Sequence, residues 1–95
     1  MDEIALQRAV QKADKTQRVI DAHKEVWDEL DADIWRMWRA TKSADKDTRE
    51  DLYREHHGIQ AVQARLQRVV NEGKRAEEEL RQRDAALPEE LKRGN

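Results

Sequence analysis

The sequence predicts an all-α protein, a long antiparallel two-helix hairpin of coiled-coil type that packs into an oligomeric helical bundle. Three observations predict this fold class. The composition is rich in helix-forming residues, with three glycines and one proline. Apolar residues recur in steps of three and four through both halves of the chain. A short polar segment between the halves offers a helix start.

The first helix is expected from about residue 2 to residue 42, because one heptad stripe runs through this range. Such a stripe faces the partner helix and is expected to be buried. Its members are Leu6, Ala9, Ala13, Thr16, Ile20, His23, Trp27, Leu30, Ile34, Met37 and Thr41.

The loop is expected at residues 43–47, where polar residues cluster. Asp47 with Glu50, or Thr48 with Asp51, can cap the following helix reciprocally.

The second helix is expected from about residue 48 to residue 86, and a tail at residues 87–95. Pro88 interrupts the pattern because proline lacks the N–H that a helix needs. Gly73 lies in the stripe and predicts a close approach of the helices, whereas Gly58 is a local weak point. The core positions are Leu52, Ile59, Leu66, Gly73, Leu80 and Leu87, with Val62, Val69 and Ala76.

Blocks of charge favour a hairpin of two antiparallel helices and disfavour one continuous helix. An acidic block between Asp21 and Asp33 would face Arg65 and Arg68. Arg36 and Arg39 would face Glu50, Asp51 and Glu55, and the block Arg8, Lys12, Lys15 and Arg18 would face Glu77, Glu78, Glu79 and Asp84. The matching register pairs Leu6 with Leu87, Ala13 with Leu80, Ile20 with Gly73, Trp27 with Leu66 and Ile34 with Ile59. Two chains could satisfy the same register, so a swapped dimer stays open.

The composition limits the function classes. In 95 residues, 42% are charged and 37% hydrophobic, so a monomer is expected to have a marginal core. Nineteen basic and 21 acidic side chains nearly cancel, which disfavours binding chiefly to nucleic-acid phosphates. The chain has no cysteine, no apolar run of membrane-spanning length and no signal-peptide pattern, so an intracellular protein is expected.

No catalytic, cofactor-binding or metal site is predicted. The three histidines are His23, His56 and His57, and the predicted register places His23 too far from His56 for one metal ion. His56 is expected beside Met37 and Trp38, with His57 turned outward. Tyr53 lies near these histidines in sequence, but a helix surface offers no pocket for acid–base chemistry.

Protein–protein interaction is therefore the predicted function class. Burial is expected for Trp27 on the seam and Trp38 on its flank, whereas Trp35 lies on the opposite side, where an exposed aromatic ring is typical of an interface. Val19 and Val26 form a second, weaker apolar strip. The predicted interaction residues are Trp35, Trp38, Val19, Val26, Tyr53 and His57.

Nucleic-acid contact is an alternative for the middle of helix two. Between His56 and Arg75 the acidic residue is Glu72, against four basic residues. The neighbouring acidic block on helix one is expected to neutralise much of this field. The alternative contact residues are Arg65, Arg68, Lys74 and Arg75.

Three motifs resemble small helical accessory proteins of tailed bacteriophages. They are Trp38-Arg39-Ala40-Thr41, then Arg49-Glu50-Asp51-Leu52-Tyr53, then Val70 with Gly73-Lys74. The resemblance covers roughly residues 27 to 80. It implies a product of a virion structural or packaging gene cluster, a family to which no catalytic residue is assigned.

The expected function is a self-associating, non-enzymatic component of virion structure or assembly, without a cofactor. Its expected partners are copies of itself and other phage structural proteins, in the host cytoplasm during assembly or in the virion. A small terminase-like DNA-packaging oligomer and an inhibitor of a host protein are the alternatives.

Overall fold

The computed structural model describes residues 2–88 of the chain. Within that range the protein consists of two α-helices and no strand, α1 (Glu3–Ala40) and α2 (Lys46–Ala85). The predicted all-α fold is confirmed. The helices begin and end within about two residues of the expected positions, and the loop lies at residues 41–45 in place of 43–47. The part of the predicted tail after Pro88 lies outside the described residues.

Aspartates begin both helices by accepting hydrogen bonds from otherwise unpaired backbone amides. The N–H of Ala5 donates to Asp2 Oδ1 at 2.7 Å. The N–H of Thr48 donates to Asp45 Oδ1 at 3.2 Å, and the Thr48 hydroxyl donates to Asp45 Oδ2 at 2.8 Å. The expected caps at Asp47 and Thr48 are therefore wrong, because α2 begins two residues earlier.

Hydrogen bonds between nearby residues also determine how the helices end. Thr41 leaves α1 but still donates its N–H to the Met37 carbonyl at 3.0 Å. At the end of α2, the N–H of Leu87 donates to the Asp84 carbonyl at 3.1 Å, which tightens the last turn. The helix ends before Pro88, as the missing N–H of proline predicts.

The chain forms two compact units, and α1 and α2 run antiparallel in each. The terminal unit comprises Met1–Arg18 and Gln67–Asn95, and the loop unit comprises Val19–Leu66. Among residues 2–88, the buried hydrophobic side chains are Leu6, Ala13, Val70 and Ala76 in the terminal unit and Ile34 and Leu52 in the loop unit. Each unit thus has a very small core, as expected from two helices alone.

In the terminal unit the expected register is wrong by one heptad. Gly73 faces Ala13, not Ile20, and Leu6 lies beside Ala76 and Glu79 while Leu87 is exposed. The loop position explains the shift: Ser43 is the central loop residue, and Ala13 and Gly73 are each thirty residues from it in the sequence. The close helix approach predicted at Gly73 is confirmed.

In the loop unit the register also differs from the expected one. His56 contacts Asp31 and Trp35, whereas the predicted register places it against Met37. Ile34 and Ile59 both line one groove of the loop unit.

Several ion pairs form along a single helix. Arg36 pairs with Asp33, Arg54 with Glu50 and Asp51, Arg81 with Glu77 and Glu78, and Arg83 with Glu79. Neighbours three and four residues apart on a helix are close enough to pair without any contact from another helix. Pairs of this kind form along one helix, so they do not test the predicted opposition of charge blocks across the hairpin.

Candidate protein interface

Five aromatic rings of the loop unit form one connected cluster beside the loop. We call it the aromatic face, and its members are Trp35, Trp38, Tyr53, His56 and His57. Ring centroids lie 5.0 Å apart for Trp35 and His56, 6.0 Å for Trp35 and Trp38, and 6.3 Å for Trp38 and Tyr53. His57 lies 4.2 Å from Tyr53 and 5.6 Å from His56. The edge-on and tilted geometries are those that aromatic pairs prefer.

Two polar contacts fix this cluster. His56 Nδ1 lies 2.5 Å from Asp31 Oδ1, with the histidine side chain 13% exposed. The Arg49 guanidinium lies 5.2 Å from the centre of the Trp38 ring, in cation–π range, and donates to the Thr41 carbonyl at 2.8 Å. Arg49 thereby connects the end of α1, the loop and the aromatic face. These contacts hold the His56 and Trp38 rings.

Much of the aromatic face is open to solvent. Trp35 is 37% exposed and Tyr53 is 50% exposed. His57 is exposed, whereas Trp38 and His56 are half-buried. A rigid, partly exposed group of large rings is the kind of surface that dominates the energetics of protein interfaces.

The structure brings together four of the six predicted interaction residues: Trp35, Trp38, Tyr53 and His57. His56 joins them, although the sequence pattern placed it beside Met37. The other two, Val19 and Val26, are 45% and 50% exposed but lie elsewhere on α1. Counting 3.6 residues per turn, Val26 shares a side of α1 with Leu30 and Met37, not with Trp35.

That second side of the loop unit is an open apolar groove between α1 and α2. The apolar groove is formed by Trp27, Leu30, Ile34, Met37, Ile59 and Val62, with Gly58 between them and Asp33 and Glu55 at its edge. Its volume is about 580 Å³. No residue belongs to both this groove and the aromatic face, and helical geometry puts them on opposite sides of the seam.

The groove exists because three predicted core residues are not buried. Leu30 is 45% exposed, Met37 46% and Val62 47%. A strict heptad drifts by about 20° per repeat around a straight helix, and two helices cover only a narrow seam. Residues at the edge of the stripe therefore face solvent. The heptad pattern assigned these residues to the core, so it did not predict the groove.

The four alternative nucleic-acid residues are exposed, and two of them share clefts with carboxylates. Lys74 lines a cleft with Asp14 and Glu77. Arg75 lines another with Glu72 and Glu79. Arg65 belongs to the loop unit, whereas Arg68, Lys74 and Arg75 belong to the terminal unit. Acidic neighbours weaken the positive field that phosphate binding requires.

Among residues 2–88, no three histidine or carboxylate side chains are grouped so that they could share a metal ion. Over the same residues, neither helix combines the length and apolar character needed to cross a bilayer.

Comparison with family models, with curated protein sequences and with solved structures returns no match for this chain.

Proposed function

We propose that this chain is a non-enzymatic, self-associating helical protein that acts through protein–protein contacts as a structural or assembly component of a tailed-phage virion. One observation carries the protein-binding part. In the loop unit the buried hydrophobic side chains are Ile34 and Leu52, while Leu30, Trp35, Met37, Tyr53 and Val62 are each more than a third exposed. A helix pair of this kind gains stability by covering its apolar surface with another protein.

The aromatic face is the surface we assign to self-association. Its polar contacts are the one between His56 and Asp31 and those of the Arg49 guanidinium with the Trp38 ring and the Thr41 carbonyl. Tryptophan and tyrosine supply large contact areas at low cost in side-chain entropy.

The phage assignment rests on the residue pattern that resembles tailed-phage accessory proteins. It places the protein in the host cytoplasm during assembly, with other phage structural proteins as further partners. The DNA-packaging alternative loses weight because Lys74 and Arg75 lie beside carboxylates. The host-inhibitor alternative has no specific observation in its favour.

Size-exclusion chromatography with light scattering over a concentration series tests self-association. We expect an oligomer that Trp35→Ser weakens by roughly thirtyfold in dissociation constant, the loss of one interface hot spot of about 2 kcal/mol. Ile4→Ser is the matched control, since Ile4 is 62% exposed and lies in the terminal unit. A wild-type monomer at every concentration, or equal effects of both substitutions, contradicts the proposal.

Mass spectrometry of purified particles tests the virion part. Detection of the chain at a fixed copy number per particle supports a structural component. Its presence in infected cells but not in particles leaves an assembly role. Its absence from both assembly intermediates and particles contradicts the phage assignment.

A further inference from the structure

Charged residues on the aromatic side of α1 change sign along the helix. Five charged residues of the loop unit lie within about 40° of Trp35 around α1, counting 3.6 residues per turn. In chain order they are Asp21, Lys24, Asp28, Asp31 and Arg39. The charges of Asp21 and Lys24 cancel, which leaves two negative charges before Trp35 and one positive charge after it. Trp35 lies four residues after Asp31 and four residues before Arg39.

The loop end of the same face is basic. On α2, Lys46 and Arg49 line a cleft with two rings of the aromatic face, and Glu50 lines this cleft too. Together with Arg39, these side chains are three cations and one carboxylate, a net charge of +2. The loop itself adds one basic and one acidic residue, which cancel. The face therefore carries +2 beside the loop and −2 at its other end.

The side chains at both ends are accessible to a second molecule. Asp28, Arg39 and Lys46 are exposed, and none of them has an ion-pair partner among the described residues. Asp31 contacts His56, but its side chain is 36% exposed, and a carboxylate accepts more than one hydrogen bond. Charges of both signs are therefore available for contacts with a second copy.

Twofold symmetry allows two arrangements of copies that are joined by this face. If both loops lie at the same end, α1 of each copy lies over α2 of the other. Arg39 then faces Lys46 and Arg49 of the second copy, so like charges oppose each other. The acidic end gains no attraction in this arrangement, because residues 57–64 of α2 contain no Asp, Glu, Lys or Arg.

If the loops lie at opposite ends, α1 lies over α1 of the second copy and runs in the opposite direction. With Trp35 near the twofold axis, the equal spacing of its flanking charges places Asp31 opposite Arg39 of the second copy. Asp28 lies one turn further from the axis, over the basic loop end of the second copy. Each of these contacts occurs twice by symmetry, so the −2 end of each face meets the +2 end of the other.

We propose that two copies of this chain associate through the aromatic face with their loops at opposite ends, so that Asp28 and Asp31 of each copy lie over the basic loop end of the other. This arrangement rests on the self-association proposed above and adds its geometry. The rings supply the apolar area, whereas the charges at the two ends favour one arrangement and oppose the other. Exposed ion pairs add little affinity by themselves, so these charges determine orientation more than strength.

Arg39→Glu tests the arrangement, because the two alternatives predict opposite effects. With the loops at opposite ends, the glutamate faces Asp31 of the second copy, and the dissociation constant should rise about tenfold at low salt. With the loops at the same end, the glutamate would face Lys46 and Arg49, and association would strengthen. Sedimentation equilibrium over a concentration series measures the dissociation constant, and circular dichroism verifies that the helices remain.

Asp28→Lys is the complementary change and should also raise the dissociation constant about tenfold at low salt. The double variant Asp28→Lys with Arg39→Glu should associate more tightly than either single variant, since the new lysine then lies near the new glutamate of the other copy. The matched controls are Glu29→Lys and Arg65→Glu, which make the same changes in net charge. Both side chains are exposed, and helical spacing places them away from the aromatic side, so the dissociation constant should stay within about twofold.

A distance between the two copies measures the arrangement directly. The chain has no cysteine, so Ala22→Cys gives a single attachment site for a nitroxide spin label at an exposed position of α1. Ala22 lies thirteen residues before Trp35, about 20 Å along the helix, so the labels should be about 40 Å apart with the loops at opposite ends. With the loops at the same end, the labels would be at most about 25 Å apart, since neighbouring helices lie roughly 10 Å apart. Double electron–electron resonance distinguishes these distances.

The outcomes separate the arrangement from self-association. A label distance of about 40 Å, together with weaker association of Arg39→Glu, supports the arrangement. A distance below about 25 Å, or tighter association of Arg39→Glu, overturns it and leaves self-association standing. Equal effects of Asp28→Lys and Glu29→Lys also overturn it, because charge on the aromatic side would then have no special role. A chain that is monomeric at every concentration contradicts self-association and the arrangement together.

Discussion

Gly73 of α2 and Ala13 of α1 face each other in the terminal unit at a distance that leaves no room for a side chain on Gly73. A Cβ placed there would overlap the Ala13 Cβ and lie 3.1 Å from the Ala9 carbonyl oxygen. Both residues are buried. Small residues at this position therefore set the spacing of the two helices.

Gly73→Ala is expected to destabilise the protein by about 1–3 kcal/mol, the usual cost of forcing extra atoms into a packed contact. The gain in helix propensity from alanine, about 1 kcal/mol, cannot offset backbone displacement. Chemical denaturation at fixed protein concentration measures the effect. Adding Ala13→Gly should recover part of the loss, giving a coupling of at least about 1 kcal/mol in a double-mutant cycle.

Gly58→Ala is the control for this prediction. Its added Cβ meets nothing within 4 Å, so helix propensity alone should act and stabilise the protein by up to about 1 kcal/mol. Destabilisation of similar size by both alanines would show that Gly73 is not a close-contact residue.

Asp45→Ala should remove the N-cap of α2 and lower the free energy of unfolding by about 0.5–2 kcal/mol. The loss arises because the Thr48 N–H and hydroxyl both bond to this carboxylate. Asp47→Ala is the comparison, since Asp47 lies in the first turn and contributes through the helix dipole, typically about 0.3–1 kcal/mol. A larger loss of stability from Asp47→Ala than from Asp45→Ala would contradict this assignment and support Asp47 as the N-cap.

Arg49→Ala is expected to destabilise the loop unit by about 1–2 kcal/mol. It removes a hydrogen bond to the Thr41 carbonyl, about 0.5–1.5 kcal/mol, and a cation–π contact of about 0.5–1 kcal/mol with Trp38. Near-ultraviolet circular dichroism should report the loosened tryptophan. Arg54→Ala, which breaks only exposed pairs with Glu50 and Asp51, should cost less than about 0.5 kcal/mol. Equal losses of stability in the two variants would show that the contacts of Arg49 with Thr41 and Trp38 do not stabilise the loop unit.

The fold was largely predictable because its signals are local. Helix propensity acts within a few residues of the chain. So do the polar residues at 43–47 and Pro88, which interrupt the helices. Leu6, Ala13, Ile34, Leu52 and Ala76 are buried as the heptad count predicts. The cap was missed because several neighbouring side chains, among them Asp45 and Asp47, are chemically able to serve, and only the helix start decides between them.

The register and the site were less predictable because they depend on distances across the hairpin. Charge matching favoured a register one heptad away from that of the terminal unit, because charges three or four residues apart can also pair along one helix, as Arg36 does with Asp33. The position of His56 was predicted from this incorrect register, so its contact with Trp35 was not predicted. Leu30, Met37 and Val62 were assigned to the core because a heptad count does not say how much surface two helices can cover.

The contacts that join the helices of the loop unit occur in order of sequence separation. Arg49 reaches Thr41 eight residues away, Tyr53 meets Trp38, and His56 meets Asp31 at a separation of 25. Each contact that forms shortens the chain still to be closed before the next one, so the entropy of ordering is lost in small steps. Pairing of the two helices in the loop unit can therefore begin at the loop and proceed away from it. The side chains beside the turn then determine how fast the two helices of the loop unit come together.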